Sequence, residues 1–165
     1  MNNLLLYVFG GIAHRLPQTR AFALKRLLYR LAGVNVGQNV KIVSSVKIYG
    51  NGNLTIGNNT WIGHETMIIV SKSVCIGSDC DIAPRVYIGD GTHVVDVNAK
   101  NVAGDGRRLP VHIGDGCWLC ANTTILPGTT IGNKTIIAAG SVVKGEIPSL
   151  ELWGGCIAKK IKSLI

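Results

Sequence analysis

The chain of 165 residues is long enough for one domain with an appendage and too short for two substantial domains. Hydrophobic residues make up 47% of it and charged residues only 16%, which excludes a solvated, disordered chain. The net charge of +8 suggests an anionic partner, but residues 1–64 hold seven Lys/Arg and no Asp or Glu, so nearly all of the excess lies at the front. Nucleic acid is not the expected partner, because no stacking aromatics accompany these basic residues.

The front of the chain predicts an N-terminal helical segment over residues 1–33. An apolar run at 4–13 is separated by Pro17 from residues 21–32, where leucines recur at helical spacing. The apolar run is about half the length that spans a bilayer. Two interpretations stay open: both pieces pack on the main body, or residues 1–30 form a basic amphipathic element that contacts an anionic membrane peripherally.

No cleavable signal peptide is expected, because no positive region precedes the apolar run and no convincing cleavage site follows it. The five cysteines form an odd set and are expected to be reduced thiols in a cytoplasmic protein; they are Cys75, Cys80, Cys117, Cys120 and Cys156.

From Val34 onward the sequence has a six-residue period. An aliphatic residue opens each repeat, glycine often follows it, and a small or β-branched residue usually comes four positions later. The aliphatic positions are Val36, Ile42, Ile48, Ile56, Ile62, Ile68, Ile76, Ile82, Ile88, Ile113, Leu119, Ile125, Ile131, Ile137 and Val143. Such a repeat predicts short strands joined by tight turns, each burying one aliphatic side chain.

The insertions divide these repeats into groups of three. The spacing rises to eight after Ile48 and Ile68, and to 25 after Ile88, so every insertion falls on the same corner of a triangular coil. This register predicts an all-β domain at 34–147, a left-handed parallel β-helix of about five coils with a protruding loop inserted at 89–110. A tail with a short helix is expected at 148–165. The thin interior favours association with further copies of the chain.

The hexapeptide pattern resembles that of the left-handed β-helix acyltransferases, above all the maltose/galactoside and the colanic-acid and capsule O-acetyltransferases. The resemblance covers about residues 24–163, and its main stretches are 52–63, 86–93 and 113–132. The repeats alone specify a fold and not an activity. Thr92-His93 before the long insertion and Trp118 after it are more specific.

The resemblance implies that His93 is the catalytic base, since relatives carry a histidine at the base of this loop. A sugar hydroxyl is a poor nucleophile at neutral pH, and imidazole is suited to take its proton. A carboxylate that orients the ring would fix its tautomer and stabilise the imidazolium. Glu65, Asp90 and Asp96 are the candidates, and for each of them a solvated loop charge is the favoured alternative. His14 and His112 are expected at the surface, and His64 is a candidate for a neighbouring subunit's cleft.

A metal site is the alternative for the histidines, because a γ-class carbonic anhydrase shares this fold and binds zinc through three of them. The insertion separates His93 from His112, and Trp118 fits an acyltransferase better, so no metal is expected. Cys117 and Cys120 resemble half a zinc site without a second pair and are predicted to be packing residues.

Acetyl-CoA is the acyl donor that the resemblance implies, bound in a groove between neighbouring subunits of a homotrimer. Positions that match donor contacts in relatives are Trp118, Ala121, Ala139 and Lys144, and Lys159 and Lys162 match positions that are basic in relatives. Lysine ammonium groups near the chain end, including that of Lys160, would serve the donor's phosphates. Lys144-Gly145-Glu146 and Gly155-Cys156-Ile157-Ala158 depart from the family pattern near the donor exit, which puts donor grip and acyl-chain choice in doubt.

The acceptor is expected to be a sugar or a lipid-linked saccharide at the inner membrane surface. Its candidate contacts are Glu65, Asp96, Arg107 and Arg108, and the arginines suit an acidic acceptor. The resulting hypothesis is an O-acetyltransferase of surface-polysaccharide synthesis. The alternatives are an N-acetyltransferase on an amino sugar or nucleotide-sugar, and a trimeric scaffold without turnover.

Overall fold

The computed structural model describes residues 1–165 and begins with two helices, α1 (Asn3–Arg15) and α2 (Phe22–Leu31). Asn2 caps α1 by accepting the Leu5 N–H through its side chain at 3.1 Å. Neither helix is long and apolar enough to cross a membrane. The predicted N-terminal helical segment is confirmed.

The rest of the chain winds through three parallel sheets that form the faces of a prism. The first sheet contains β1 (Asn35–Val36), β4 (Asn53–Ile56), β7 (Ser73–Ile76), β12 (Val111–Ile113), β15 (Thr130–Ile131) and β18 (Glu146–Ile147). The second contains β2 (Lys41–Ile42), β5 (Trp61–Ile62), β8 (Asp81–Ile82), β13 (Trp118–Leu119), β16 (Ile136–Ile137) and β19 (Glu151–Gly155). The third contains β3 (Lys47–Tyr49), β6 (Met67–Ile69), β9 (Tyr87–Gly89), β14 (Thr124–Ile125) and β17 (Val142–Val143).

The aliphatic series forms the core of this prism. All of its members are buried, and they stack in register from coil to coil, as Val36 does on Ile56 and Ile56 on Ile76. The small residues four positions later fill a second inward slot, where the Thr60 hydroxyl and the Cys80 thiol donate to carbonyls of the next coil. The predicted left-handed parallel β-helix is confirmed, with five complete coils and a sixth begun by β18 and β19.

The predicted C-terminal helix is wrong, because the chain end forms a strand. β20 (Ala158–Ser163) pairs antiparallel with β19, which itself continues the second sheet through the pair Ile136 and Leu152. This pairing extends the second sheet beyond the predicted boundary at residue 147. Backbone pairing at an open sheet edge outweighs the helical propensity of a Lys-rich segment, which is a weak preference.

The helices cover the first coil, as one of the two interpretations expected. Ala13, Leu28 and Tyr29 are buried against it. Arg30 of α2 donates to the carbonyls of Val36 and Gly37, each at 2.8 Å. Arg26 reaches the Val40 carbonyl at 3.0 Å, and Lys25 is buried and donates to the Pro17 and Gln18 carbonyls at 2.9 and 2.7 Å. Part of the basic excess therefore binds backbone carbonyls.

Candidate functional site

The long insertion is an antiparallel hairpin of β10 (Gly91–Val95) and β11 (Ala103–Arg108) at the corner between the third and first sheets. His93 lies on β10 with its ring exposed, and its Nδ1 lies 2.8 Å from the Gly104 carbonyl oxygen. A carbonyl oxygen only accepts hydrogen bonds, so Nδ1 carries the proton and donates it. In the neutral ring the Nε2 lone pair is then free to accept a proton.

Within one chain, the His93 ring contacts none of the three candidate carboxylates. Asp90 is completely buried, and its oxygens accept the N–H groups of Ser71, Lys72 and Ser73 at 2.6, 2.6 and 2.7 Å. It therefore holds the insertion of the preceding coil in place. Asp96 accepts two N–H groups in the turn that follows β10, and Glu65 lies at another corner with a left-handed φ of 57°. Sequence reasoning missed the Gly104 carbonyl, because a backbone acceptor leaves no residue-type signal.

The hairpin register separates the two arginines. Arg108 is opposite Gly91, two residues from His93, whereas Arg107 is opposite Thr92. Because side chains alternate between the faces of a strand pair, Arg108 shares the face of His93 and Arg107 lies on the other face. Both side chains are exposed, and neither forms a hydrogen bond or ion pair within the chain.

The residues expected to contact the acyl donor occupy two regions. Trp118 lies on the second sheet with 48% of its surface exposed. Ala121 and Ala139 stack at the corner after this sheet, where the Gly140 N–H donates to the Ala121 carbonyl at 2.9 Å. Lys144 instead follows β17 at the corner between the third and first sheets, the corner from which the hairpin of His93 projects.

The terminal lysines differ in their partners. Lys160 donates to Glu151 Oε1 at 2.5 Å, and Trp153 Nε1 donates to Glu151 Oε2 at 2.6 Å. These two bonds, with Lys160 the larger cause, hold the pKa of Glu151 below its ordinary value. Lys159 and Lys162 are exposed on β20 without an ion pair, so their ammonium groups are available to an anion.

One chain does not bring the two halves of the predicted site together. The His93 hairpin projects where the third sheet ends, whereas Trp118, Ala121 and Ala139 lie where the second sheet ends. Successive corners of a triangular prism face different directions. Within one chain, His93 and Trp118 therefore lie on different sides of the prism.

The chain also carries three further histidines and five cysteines. His14 and His112 are at the surface as predicted, and His64 is exposed at the corner after the second sheet, the same corner as Ala121 and Ala139. No three His, Cys, Asp or Glu side chains are placed to hold a metal. Cys117 is buried in an inward slot beside Cys80, whose pKa is raised by its contact with Cys117 and by burial. Cys120 is half-buried, and all five thiols are free.

Comparison with known proteins identifies the family. The bacterial transferase hexapeptide model, of six repeats, matches residues 110–145. WcaF of Escherichia coli K12, whose name assigns it to colanic acid biosynthesis as an acetyltransferase, is 32% identical over 96% of this chain and 82% of its own length. The E. coli galactoside O-acetyltransferase is 30% identical over 78% of this chain and 63% of its own.

Solved structures give the same fold. A galactoside acetyltransferase in complex with coenzyme A superposes with a TM-score of 0.86 at 24% identity, covering 99% of this chain and 80% of that one. The Vibrio cholerae hexapeptide-repeat acetyltransferase VCA0836, complexed with acetyl-CoA, gives 0.79 at 22% identity and covers 99% and 87%. Because its chain folds as a coiled prism and is 32% identical to WcaF over 96% of its length, this protein belongs to the hexapeptide-repeat acetyltransferase family.

Proposed function

We propose that the protein transfers the acetyl group of acetyl-CoA to a sugar hydroxyl during surface-polysaccharide synthesis. The observation that carries this proposal is the His93–Gly104 contact, which leaves Nε2 free as a base on an exposed hairpin. The names of WcaF and of WbbJ, a lipopolysaccharide biosynthesis O-acetyl transferase 34% identical over 78% of this chain and 71% of its own length, support the substrate class.

In the proposed reaction His93 Nε2 takes the proton of the sugar hydroxyl as its oxygen attacks the thioester carbonyl carbon. The imidazolium that forms keeps its Nδ1–H bond to Gly104, which lowers the energy of the charged ring. When the tetrahedral intermediate collapses, the carbon–sulfur bond breaks and Nε2 returns the proton to the departing thiolate. The products are an O-acetyl sugar and free CoA thiol, so protons and electrons balance.

Other residues of the chain would bind the acetyl donor and the sugar acceptor. Trp118 would form one wall of the groove that binds the donor, and the small side chains of Ala121 and Ala139 would leave space for its pantetheine arm. Lys144, Lys159 and Lys162 would be the cationic contacts of the donor. Arg108 is the favoured contact for an acidic acceptor, since it shares a hairpin face with His93. Arg107, Glu65 and Asp96 are also proposed as acceptor contacts, but this shared face does not support them.

A homotrimer with sites between subunits is part of the proposal. Its support is the separation of His93 from the Trp118 face in a single chain. Peripheral membrane contact through residues 1–30 is also proposed, supported by Leu4 and Tyr7 of α1, which are 70% and 81% exposed. A lipid-linked saccharide would then meet the enzyme at the inner membrane surface.

The test is an acetyl-transfer assay that follows free thiol with acetyl-CoA and panels of neutral, acidic and amino sugars. Thiol release that requires a sugar and is lost in His93→Ala is the expected result. His112→Ala is the matched control, because it removes an exposed histidine from the first sheet. Release with amino sugars alone would indicate N-acetylation, and equal rates in wild type and His93→Ala would refute the base assignment.

A further inference from the structure

A cleft of about 470 Å³ lies between α1 and the first coil, on the side of the third sheet. Its apolar and aromatic walls include Leu6, Tyr7, Tyr29, Ile48 and Tyr49. No Lys, Arg, Asp or Glu lines it. The volume and the lining are those of a small-molecule site for an apolar ligand.

Two consecutive glycines, Gly10 and Gly11, lie inside α1 and line this cleft. Glycine is the poorest helix former after proline, so an interior pair weakens α1. Packing within the chain does not require it, since a Cβ on Gly10 would meet no atom within 4 Å. The missing side chain instead leaves open space against the helix backbone, which is where glycine admits a closely approaching ligand.

The Tyr29 hydroxyl adds a polar group without a partner. Tyr29 is 1% exposed and lines the cleft, and its oxygen is the one buried side-chain polar atom in the chain without a hydrogen bond. Burial raises the pKa of Tyr29 to about 12. Burying a hydroxyl without a hydrogen bond costs free energy, so the unpaired Tyr29 hydroxyl indicates a ligand group that would form this bond. His14 also lines the cleft, and its Nε2 lies 2.8 Å from the Val46 carbonyl oxygen.

The exposed residues beside the cleft and the charge of the front of the chain indicate that such a ligand would come from a lipid surface. Tyr7 belongs both to the cleft and to the exposed face of α1, where it is joined by Leu4, Val8 and Ile12. The front of the chain is basic without a single acidic residue through position 64. Exposed apolar side chains on a basic segment are complementary to an anionic lipid surface.

We propose that this cleft binds one hydrocarbon chain of the lipid that carries the acceptor. The chain packs on Leu6 and Ile48, passes against the helix backbone at Gly10, and brings an oxygen of its polar end to the Tyr29 hydroxyl. The naming of the lipid rests on the proposed function, whereas the chemistry of the ligand rests on the cleft alone.

The first test measures binding of 1-octanol and of octane to the detergent-free full chain by ligand-observed NMR. Wild type should bind octanol saturably, with affinity rising about fourfold per methylene from hexanol to octanol. Gly10→Leu fills the space and should weaken both probes at least tenfold. Tyr29→Phe should weaken octanol about threefold to tenfold and leave octane unchanged. Val8→Leu, outside the cleft on the same helix, is the control.

No saturable binding of either probe, or unchanged binding in Gly10→Leu, would exclude a hydrocarbon site. A change of molecular mass in light scattering of Gly10→Leu would assign the cleft to a neighbouring copy. Folding of the variants is checked by circular dichroism, and Leu should not lower the melting temperature because it favours a helix more than glycine does.

A second test uses octyl and methyl glycosides of the same sugars as acetyl acceptors. Wild type should show a KM for the octyl glycosides at least tenfold lower, and Gly10→Leu should remove this advantage without changing the methyl KM. Equal KM values for both glycosides in wild type would refute the link to the acceptor. If no glycoside is acetylated while octanol binds, the acceptor assignment fails and the hydrocarbon site stands.

Discussion

His93 Nδ1 and the Gly104 carbonyl oxygen lie 2.8 Å apart across the β10–β11 hairpin. We expect His93→Ala to lower kcat by about 10²- to 10⁴-fold, which is the contribution of a positioned general base. The Michaelis constant for acetyl-CoA should change little, because the ring is not proposed to hold the donor. Steady-state thiol release checks this, and a loss of similar size in His112→Ala would contradict it.

The proposed division of the site between two copies predicts complementation. His93→Ala lacks the base, and Ala139→Trp places an indole in the proposed donor groove, so each variant alone should be inactive. If sites form between subunits, coexpressed chains should restore activity at about a quarter of the sites of a randomly mixed trimer. Activity no greater than in the separate variants would indicate that each chain carries a whole site.

The free lysines of β20 predict a donor-specific effect. Replacing Lys159 and Lys162 together with alanine should raise KM for acetyl-CoA about threefold to tenfold, because charge-assisted contacts to phosphate are lost. The effect should shrink at high salt and be absent with acetyl-pantetheine, which lacks the phosphorylated adenosine. Lys160→Ala is the matched control, since its ammonium is already bound to Glu151.

Asp90 predicts a stability effect. Asp90→Ala removes the acceptor of three backbone N–H groups and should lower the free energy of unfolding by about 2–3 kcal/mol. Asp96→Ala, which removes an exposed acceptor near the hairpin tip, should cost less than about 1 kcal/mol. Urea denaturation of both variants measures the difference, and similar midpoints would contradict the role assigned to Asp90.

The lowered pKa of Glu151 predicts a pH dependence at the chain end. A carboxyl whose pKa is lower in the folded state contributes stability above its ordinary value of 4.5, and this stability is lost as pH falls through the folded value. The melting temperature of wild type should therefore exceed that of Glu151→Gln near neutral pH, and the difference should disappear in acid. A difference that grows on acidification would contradict the sign.

The coil and its register follow from the amino-acid sequence alone. Each strand must bury one aliphatic side chain and each coil three, so the period, the three faces and the corner of the insertions are all predictable from the residues between Val36 and Val143. His93 was placed at the insertion by the same register. These features are local and repeated, and each repeat independently supports the same pattern.

Features that depend on backbone groups, or on contacts between residues distant in sequence, are visible only in the folded chain. The Gly104 carbonyl at His93, the N–H groups that Asp90 binds and the β20 strand at the chain end arise from backbone pairing, which residue types do not reveal. The cleft beneath α1 depends on residues from Leu6 to Tyr49 that meet only when the helices dock. The pattern of side chains along the sequence indicates which positions are buried, whereas the partners of hydrogen bonds depend on how the backbone folds.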